Sequence, residues 1–367
     1  MIENQPRVVM VGAFPPPVHG MALVNAAVRA ALQRDGVQLT VIDLAGPNLD
    51  RSVVARLRRL PRVVRGLVRL AAIRGHRGRS IYMSVSGGMG QVYDLVFCTV
   101  ARLRGMQVIL HHHSFAYLDK PRRLTSCLLW TAGIGSTQIT SSLGMTQRLV
   151  ATYKVGRVCQ LSNAVLVAGG MKPIGKPRLR LRTLGFISNI SSEKGVFDFL
   201  DLLDALRDTG SPLRAKLAGP FQDSQTECMV RGRLPSLPSL EYLGPKYGTQ
   251  KETFFGEIDA LVFPTHYANE AEPLILHEAL NVGVPVIAYG RGAIPEILGS
   301  DCGSVIDPSE PFVEAALLQI NHWLDDSTAF ADASRGALRR SGANAANNTR
   351  QLRTMLRILM GKAEVNA

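Results

Sequence analysis

Cysteine is sparse in this 367-residue chain, and the five residues are scattered at positions 98, 127, 159, 228 and 302. No Cys-x-x-Cys occurs, which argues against a zinc ribbon or a disulfide framework. The cysteines are expected to be small apolar fillers of a reduced interior. No apolar run is long enough to form a membrane-spanning helix. The opening MIENQPRVVMVGAFPPP lacks the charged, apolar and small-residue order of a secretory signal, so the expectation is a cytoplasmic protein. Gly-x-Gly-x-x-Gly is missing after the first strand candidate, which discounts a dinucleotide fingerprint. Acid is scarce in one half only. Residues 1–165 hold 21 Lys and Arg against 6 Asp and Glu, whereas residues 166–367 hold 21 against 23. A basic half beside a near-neutral half suggests that the basic half meets an acidic partner.

What is present is alternation. Hydrophobic residues make up 46 % of the chain, enough to fill two ordinary cores. Short apolar, β-branched runs at 7–11, 38–44, 80–84, 107–112, 137–141 and 157–161 read as buried parallel strands. Helical stretches such as 21–32 lie between them. Around 169–182 the text GGMKPIGKPRLRLR clusters Gly, Pro and base without periodicity and marks a linker. A second alternation follows at 183–187, 213–217, 240–243, 260–263, 284–289 and 303–306. A last helical stretch at 339–360 is placed to cross back over the linker. The fold class is α/β, with two doubly wound Rossmann-like domains facing each other across a cleft. The domains are expected at 1–165 and 166–338, with a carboxyl-terminal helix at 339–367.

NEAEPLILHEAL, residues 269–280, places three glutamates among apolar residues. Proline is tolerated in the first helical turn and disfavoured inside a helix. Pro273 therefore sets a helix start near Glu272, with Glu270 in the loop before it and Glu278 inside it. DALVFP at 259–264 reads as the preceding strand, so the loop lies at the carboxyl edge of a parallel sheet, where open α/β sheets bind ligands. Free amides at the helix start attract phosphate, while carboxylates accept hydrogen bonds from neutral hydroxyls. A nucleotide joined to a sugar has both parts. The competing reading is a cluster of acids capping the helix.

The spacing of Glu270 and Glu278 resembles the EX7E motif of retaining GT-B glycosyltransferases, especially glycosyltransferase family 4. Residues 263–298, with Pro264, Pro273, Ala279, Gly283, Pro285, Gly292 and the pair Pro295-Glu296, resemble that family's donor-binding segment. The resemblance implies that Glu270 contacts the donor sugar and Glu278 the ribose hydroxyls, with Pro273 and Leu274 beside the nucleotide. GFISNISSEKGV at 185–196 resembles the first strand and turn of the donor domain, which gives Lys194 a diphosphate contact. A lysine there can neutralise phosphate charge as the leaving group forms. Asn189 stands where the family often has an arginine, and an asparagine supplies no bidentate charge clamp. In GAFPPPVHGM, residues 12–21, Gly20 leaves room for close backbone approach to donor or acceptor.

VILHHHSF, residues 108–115, ends a strand with three histidines. Alternation points His111 and His113 to one face and His112 to the other. The resemblance implies a histidine near the donor sugar, with His113 the first choice and His111 the second. No nearby Cys or acid completes a metal set, and Asp-x-Asp, common in metal-dependent GT-A transferases, is missing. No metal and no cofactor are expected beyond a UDP- or GDP-sugar donor.

Arg51 to Arg79 holds ten arginines and no acid. Pro61 is expected to break this stretch into two helices. The arginines suit an anionic membrane surface or an acidic lipid-linked glycan acceptor. Without interleaved aromatics, nucleic acid is not an expected partner. The overall expectation is a retaining glycosyltransferase of bacterial envelope polysaccharide assembly, peripheral on the inner membrane face. A sugar-nucleotide epimerase on the same fold and a non-catalytic membrane- or polyanion-binding protein are the alternatives.

Overall fold

The computed structural model of the chain describes residues 6–46, 53–74, 79–166 and 176–362. It divides into two compact units. The first is Met1–Leu166, Ala268–Glu272 and Asn347–Ala367, and the second is Val167–Tyr267 and Pro273–Ala346.

The first unit runs β1 (Arg7–Gly12), α1 (Gly20–Arg34), β2 (Gln38–Asp43), α2 (Val53–Ala72), β3 (Ser80–Val85), α3 (Gln91–Leu103), β4 (Gln107–His112), α4 (Ala116–Asp119), α5 (Arg123–Ala132), β5 (Thr137–Thr140), α6 (Leu143–Tyr153) and β6 (Val158–Gln160). Its strands form one parallel sheet in the order β2-β1-β3-β4-β5-β6. The second unit runs β7 (Thr183–Ile187), α7 (Val196–Asp208), β8 (Arg214–Ala218), α8 (Ser224–Arg233), β9 (Leu240–Tyr242), α9 (Thr249–Glu257), β10 (Ala260–Phe263), α10 (Leu274–Asn281), β11 (Val286–Tyr289), α11 (Ile294–Leu298), β12 (Gly303–Ile306), α12 (Phe312–Asp325) and α13 (Ser327–Leu359). Its sheet, also parallel, has the order β12-β11-β10-β7-β8-β9.

All twelve expected strands form, because short β-branched runs covered by helices on both faces have no other way to satisfy their backbone. Boundaries shift by a residue or two. The strand expected from 284 starts at Val286, since Pro285 has no N–H for the ladder. Each sheet is covered on two sides. In the first unit one core joins Ile42, Val63, Leu70, Phe97, Cys98 and Leu128, and another joins Val8, Met10, Val28, Leu32 and Tyr82.

Three expectations are corrected. Pro61 does not divide the arginine-rich stretch, because α2 runs unbroken from Val53 to Ala72 with Pro61 inside it. Packing on the sheet side outweighs the one backbone hydrogen bond that proline removes. Val63 and Leu70 are buried, and Gly66 lies so close to β2 and α3 that a Cβ would stand 2.7 Å from Ile42 and 3.0 Å from Phe97. Arg51 and Arg77 lie outside the described residues. The final helix starts twelve residues earlier than expected, at Ser327. Phe330 and Ala337 pack in cores of the second unit, while Met355, Leu356, Ile358 and Leu359 pack in a core of the first. Finally, Cys98, Cys159 and Cys302 are buried fillers, but Cys127 and Cys228 are exposed.

Two glycines in α13 show how packing decides the sign of one substitution. Alanine in place of an exposed helical glycine stabilises by roughly 0.5–1 kcal/mol. A Cβ added at Gly342 would meet nothing within 4 Å, whereas at Gly336 that atom would fall 1.8 Å from the carbonyl oxygen of Asp301. Gly342→Ala is therefore expected to stabilise by that amount, and Gly336→Ala to destabilise by about 2 kcal/mol. Urea unfolding of the two variants measures both, and equal effects would refute the close backbone approach.

Candidate functional site

In a doubly wound sheet, loops diverge where the strand order reverses, and the carboxyl edge there opens a crevice. In the second unit that point is the β7–β10 pair. The loop after β7 ends in a tight turn, Ser192–Lys194, followed by Gly195 with φ +81°. A Cβ at Gly195 would fall 2.0 Å from the Pro264 carbonyl oxygen, so only glycine lets this loop reach the loop after β10. The His266 amide donates to the Glu193 carbonyl at 2.8 Å. Its ring Nε2 lies 3.0 Å from Asp198 Oδ2 on α7. Lys194 Nζ stands 4.7 Å from the Tyr267 ring centroid and 5.7 Å from that of Phe263. Asn189 lies half-buried in the same loop.

Helix α10 starts at Leu274, with Pro273 at its N-cap. Glu278 is its fifth residue, and its carboxylate pairs with the ammonium of Lys251 on α9. Burial pushes the Glu278 carboxyl above its ordinary range, and the Lys251 charge draws it back. The contact is ionic in character. Oε2 is buried and has no well-directed hydrogen bond among the described residues. Such an oxygen retains acceptor capacity for a hydroxyl.

Although only eight residues from Glu278, Glu270 is buried in the segment Ala268–Glu272, which belongs to the first unit. Asn269 Oδ1 accepts from Ser114 Oγ at 2.8 Å, and Ala271 joins the first unit's core. Glu272 is fully engaged. Its two carboxylate oxygens accept from Ser162 Oγ and the Asn163 amide, both at 2.6 Å, and Asn163 Nδ2 donates to its carbonyl at 2.8 Å. The capping reading therefore fails for Glu272, and no acid lies in the first turn of α10. One of the three glutamates is a structural clamp.

The reversal in the first sheet falls between β1 and β3. Here Asn25 Nδ2 donates to the Ala13 carbonyl at 2.9 Å, and its Oδ1 accepts from Ser84 Oγ at 2.8 Å and Tyr82 OH at 3.1 Å. Tyr82 OH also lies 2.6 Å from His111 Nδ1. One ring or hydroxyl proton is shared in that contact, so Tyr82 couples His111 to the Asn25 network. The His113 ring sits 4.0 Å from that of His111, and both Nε2 atoms are buried without a partner among the described residues. Burial holds His111 well below the usual imidazole range and pushes His113 down to about 3, with His112 and His19 adding to the effect on His113. His112 points the other way, as alternation requires, and bridges Tyr117 OH at 2.8 Å and Gln138 Oε1 at 2.9 Å. Gly20 opens α1 with nothing within 4 Å of a Cβ, so packing alone does not demand glycine there.

Residues 172–344 match the family model described as Glycosyl transferases group 1. That match supports a group 1 glycosyl transferase domain over just under half of the chain. The domain contains Asn189, Lys194, Glu270, Pro273, Leu274 and Glu278. Over 125 residues the chain is 32 % identical to D-rhamnosyltransferase WbpZ of Pseudomonas aeruginosa strain PAO1. That alignment takes in 34 % of this chain and 31 % of WbpZ, so the chain spans about a third of that curated relative's length. Among solved structures, sucrose-phosphate synthase from Thermosynechococcus elongatus aligns with a TM-score of 0.75 at 13 % identity, covering 98 % of this chain and all of that one. Anabaena HepE in complex with UDP-glucose aligns with a TM-score of 0.67 at 14 % identity, covering 96 % and 99 %. The two six-stranded parallel α/β units and these neighbours make the fold GT-B.

Beside the group 1 domain's expected residues, Lys251 and Tyr267 had no sequence signal. Lys251 lies 27 residues before its partner on another helix, so no local spacing marks the pair. Removing one partner of a largely buried ion pair costs more than removing both. Lys251→Met is expected to destabilise by about 2 kcal/mol, and adding Glu278→Gln to recover part of that loss. A double-mutant cycle in urea tests this, and strict additivity would refute the coupling.

His112 makes a pH-dependent contribution. Burial lowers its pKa to about 4, against about 6.5 in the unfolded chain. The unfolded state therefore binds the extra proton between those values, and stability present above pH 6.5 is lost as pH falls toward 4. The loss is about 3 kcal/mol for this group. His112→Gln should flatten the acid limb of a thermal-midpoint profile over that window, and parallel profiles would refute the assignment.

Proposed function

We propose that the protein is a retaining glycosyltransferase that moves a sugar from a UDP- or GDP-sugar to an acceptor hydroxyl of a lipid-linked or envelope polysaccharide precursor. The observation that carries this reading is the Lys194–Gly195 turn, closed on Pro264 at the strand reversal of a group 1 domain. WbpZ is named a rhamnosyltransferase, and HepE was solved with UDP and with UDP-glucose, which supports a nucleotide-sugar donor.

In this reading Lys194 and the amides at the start of α7 neutralise the donor diphosphate. Glu278 accepts from the ribose hydroxyls, with Pro273, Leu274 and Asn189 lining the nucleotide. Glu270 steadies the donor sugar. Neutral His113, with His111 behind it, offers an acceptor nitrogen to a sugar hydroxyl, and the open space at Gly20 admits close approach of substrate. The bond from the anomeric carbon to the diphosphate oxygen breaks with its electron pair leaving on phosphate. The acceptor oxygen bonds to the same face of that carbon, and a donor phosphate oxygen takes its proton. No protein nucleophile is needed, in contrast to a retaining glycosidase.

Calorimetric titration with UDP, GDP and ADP, with and without EDTA, tests the reading. One nucleotide should bind regardless of EDTA. A hydrogen bond to a charged group contributes roughly 1.5–3 kcal/mol, so Glu278→Gln should weaken that nucleotide about 10- to 100-fold. Glu270→Gln should lower turnover more than nucleotide affinity. Folded protein that binds none of the three, or two variants with full transferase activity, would overturn the assignment.

A further inference from the structure

One surface of the first unit is left unexplained by sugar transfer. Helices α2, α3 and α5 pack side by side on the core that holds Val63, Leu70, Phe97, Ala101, Leu128 and Ala132. In a parallel α/β sheet each helix returns antiparallel to its strand, so helix ends gather at the sheet edge away from the carboxyl-end loops. Contacts confirm the gathering here. Arg104, just after α3, donates to the Ile73 carbonyl just after α2. Arg102 lies 3.1 Å from where a Gly133 Cβ would stand, just after α5.

This end exposes residues that a water-facing surface usually lacks. Leu103 is 83 % exposed, Trp130 85 % and Ile134 95 %. Along α2, Leu60, Val64 and Val68 form a second exposed apolar stripe, spaced every four residues and therefore on one side of the helix. Arg58, Arg62, Arg65 and Arg69 occupy the next stripe around the same helix, and all four are exposed. Arg74 and Arg102 add exposed positive charge at the same end. Acid does not balance them. Across the three helices the only acidic residue is Asp94, which is buried and accepts from the Ser86 amide at 2.8 Å.

We infer that the α2–α3–α5 end of the first unit is a docking surface for an anionic lipid bilayer. Exposed large apolar residues beside unopposed arginines are what an interfacial surface needs, since apolar tips enter the acyl boundary while guanidiniums meet headgroup phosphates. Tryptophan prefers that boundary because its ring is amphipathic. A second copy of this chain is a poor occupant, because self-pairing would set arginine against arginine. A soluble polyanion would engage the arginines but leave Leu103, Trp130 and Ile134 in water. Leu103, Trp130 and Ile134 lie at the opposite sheet edge from the strand-reversal loops of the first unit, so docking through these tips leaves those loops free. This inference does not depend on the transfer chemistry.

The chain offers its own probe. It has two tryptophans, Trp130 and Trp323, and the second is buried in a core of the second unit. The full chain is mixed with phosphatidylcholine vesicles, with vesicles containing phosphatidylglycerol, and with heparin, at low and high salt. Co-sedimentation with the anionic vesicles alone is expected, with a blue shift of Trp130 emission and quenching by lipids brominated in the acyl chain. The double variant Trp130→Ser, Ile134→Ser should bind those vesicles at least about tenfold more weakly, with nucleotide binding and thermal midpoint unchanged, because both side chains are exposed. No co-sedimentation, binding to heparin and vesicles alike without a Trp130 shift, or undiminished binding of the double variant would each overturn the inference.

Discussion

The short segment Ala268–Glu272 depends on one buried carboxylate. Glu272 cannot sit in the interior as a bare charge, because desolvating an unpaired carboxylate costs several kcal/mol. Ser162 and Asn163 meet both of its oxygens, and that anchors the segment in the first unit. Asn269 is then set against Ser114 and Gly87, and Glu270 is buried with it. A segment joined at both ends to the second unit is thus held by polar contacts of the first. The acidic run that stands out in the sequence therefore divides by role: Glu272 anchors, Glu278 pairs with Lys251, and Glu270 takes its place from its neighbours.

The first unit's reversal point follows the same physics with neutral groups. Tyr82, Ser84 and Asn25 are buried and satisfy one another, and Asn25 ties β1's loop to α1. Tyr82 OH also meets His111 Nδ1 at 2.6 Å, which joins that ring to the same network. Burial keeps His111 and His113 uncharged, so this end of the sheet offers lone pairs rather than positive charge. Much of the unit's exposed positive charge sits instead along α2 and at the ends of α2 and α3. A single domain can thus keep a neutral site and a cationic surface apart.

Much of the fold was legible in the sequence. Alternating short apolar runs announced twelve parallel strands, because strands covered on both faces bury mostly apolar side chains. Glycine and proline marked the turns for a similar reason. Gly195 is needed where two loops touch, and Pro273 stands at a helix start where its missing N–H costs nothing. The proline rule failed at Pro61, where side-chain packing on the sheet held α2 together across the break. The cysteine reading failed at Cys127 and Cys228, which lie on outer helix faces that a lone residue does not reveal.

Local spacing therefore determined element type, the strand-loop-helix unit around Glu270 and Glu278, and the turn that ends in Lys194 and Gly195. Each of these rests on backbone rules that act over a few residues. Only the tertiary structure decided which glutamate is an anchor, that Lys251 meets Glu278, that Tyr82 meets His111, and that Leu103, Trp130 and Ile134 share one surface with arginines. Those relations join residues far apart in the chain, and side-chain pairing across such distances leaves no periodic trace in a single sequence.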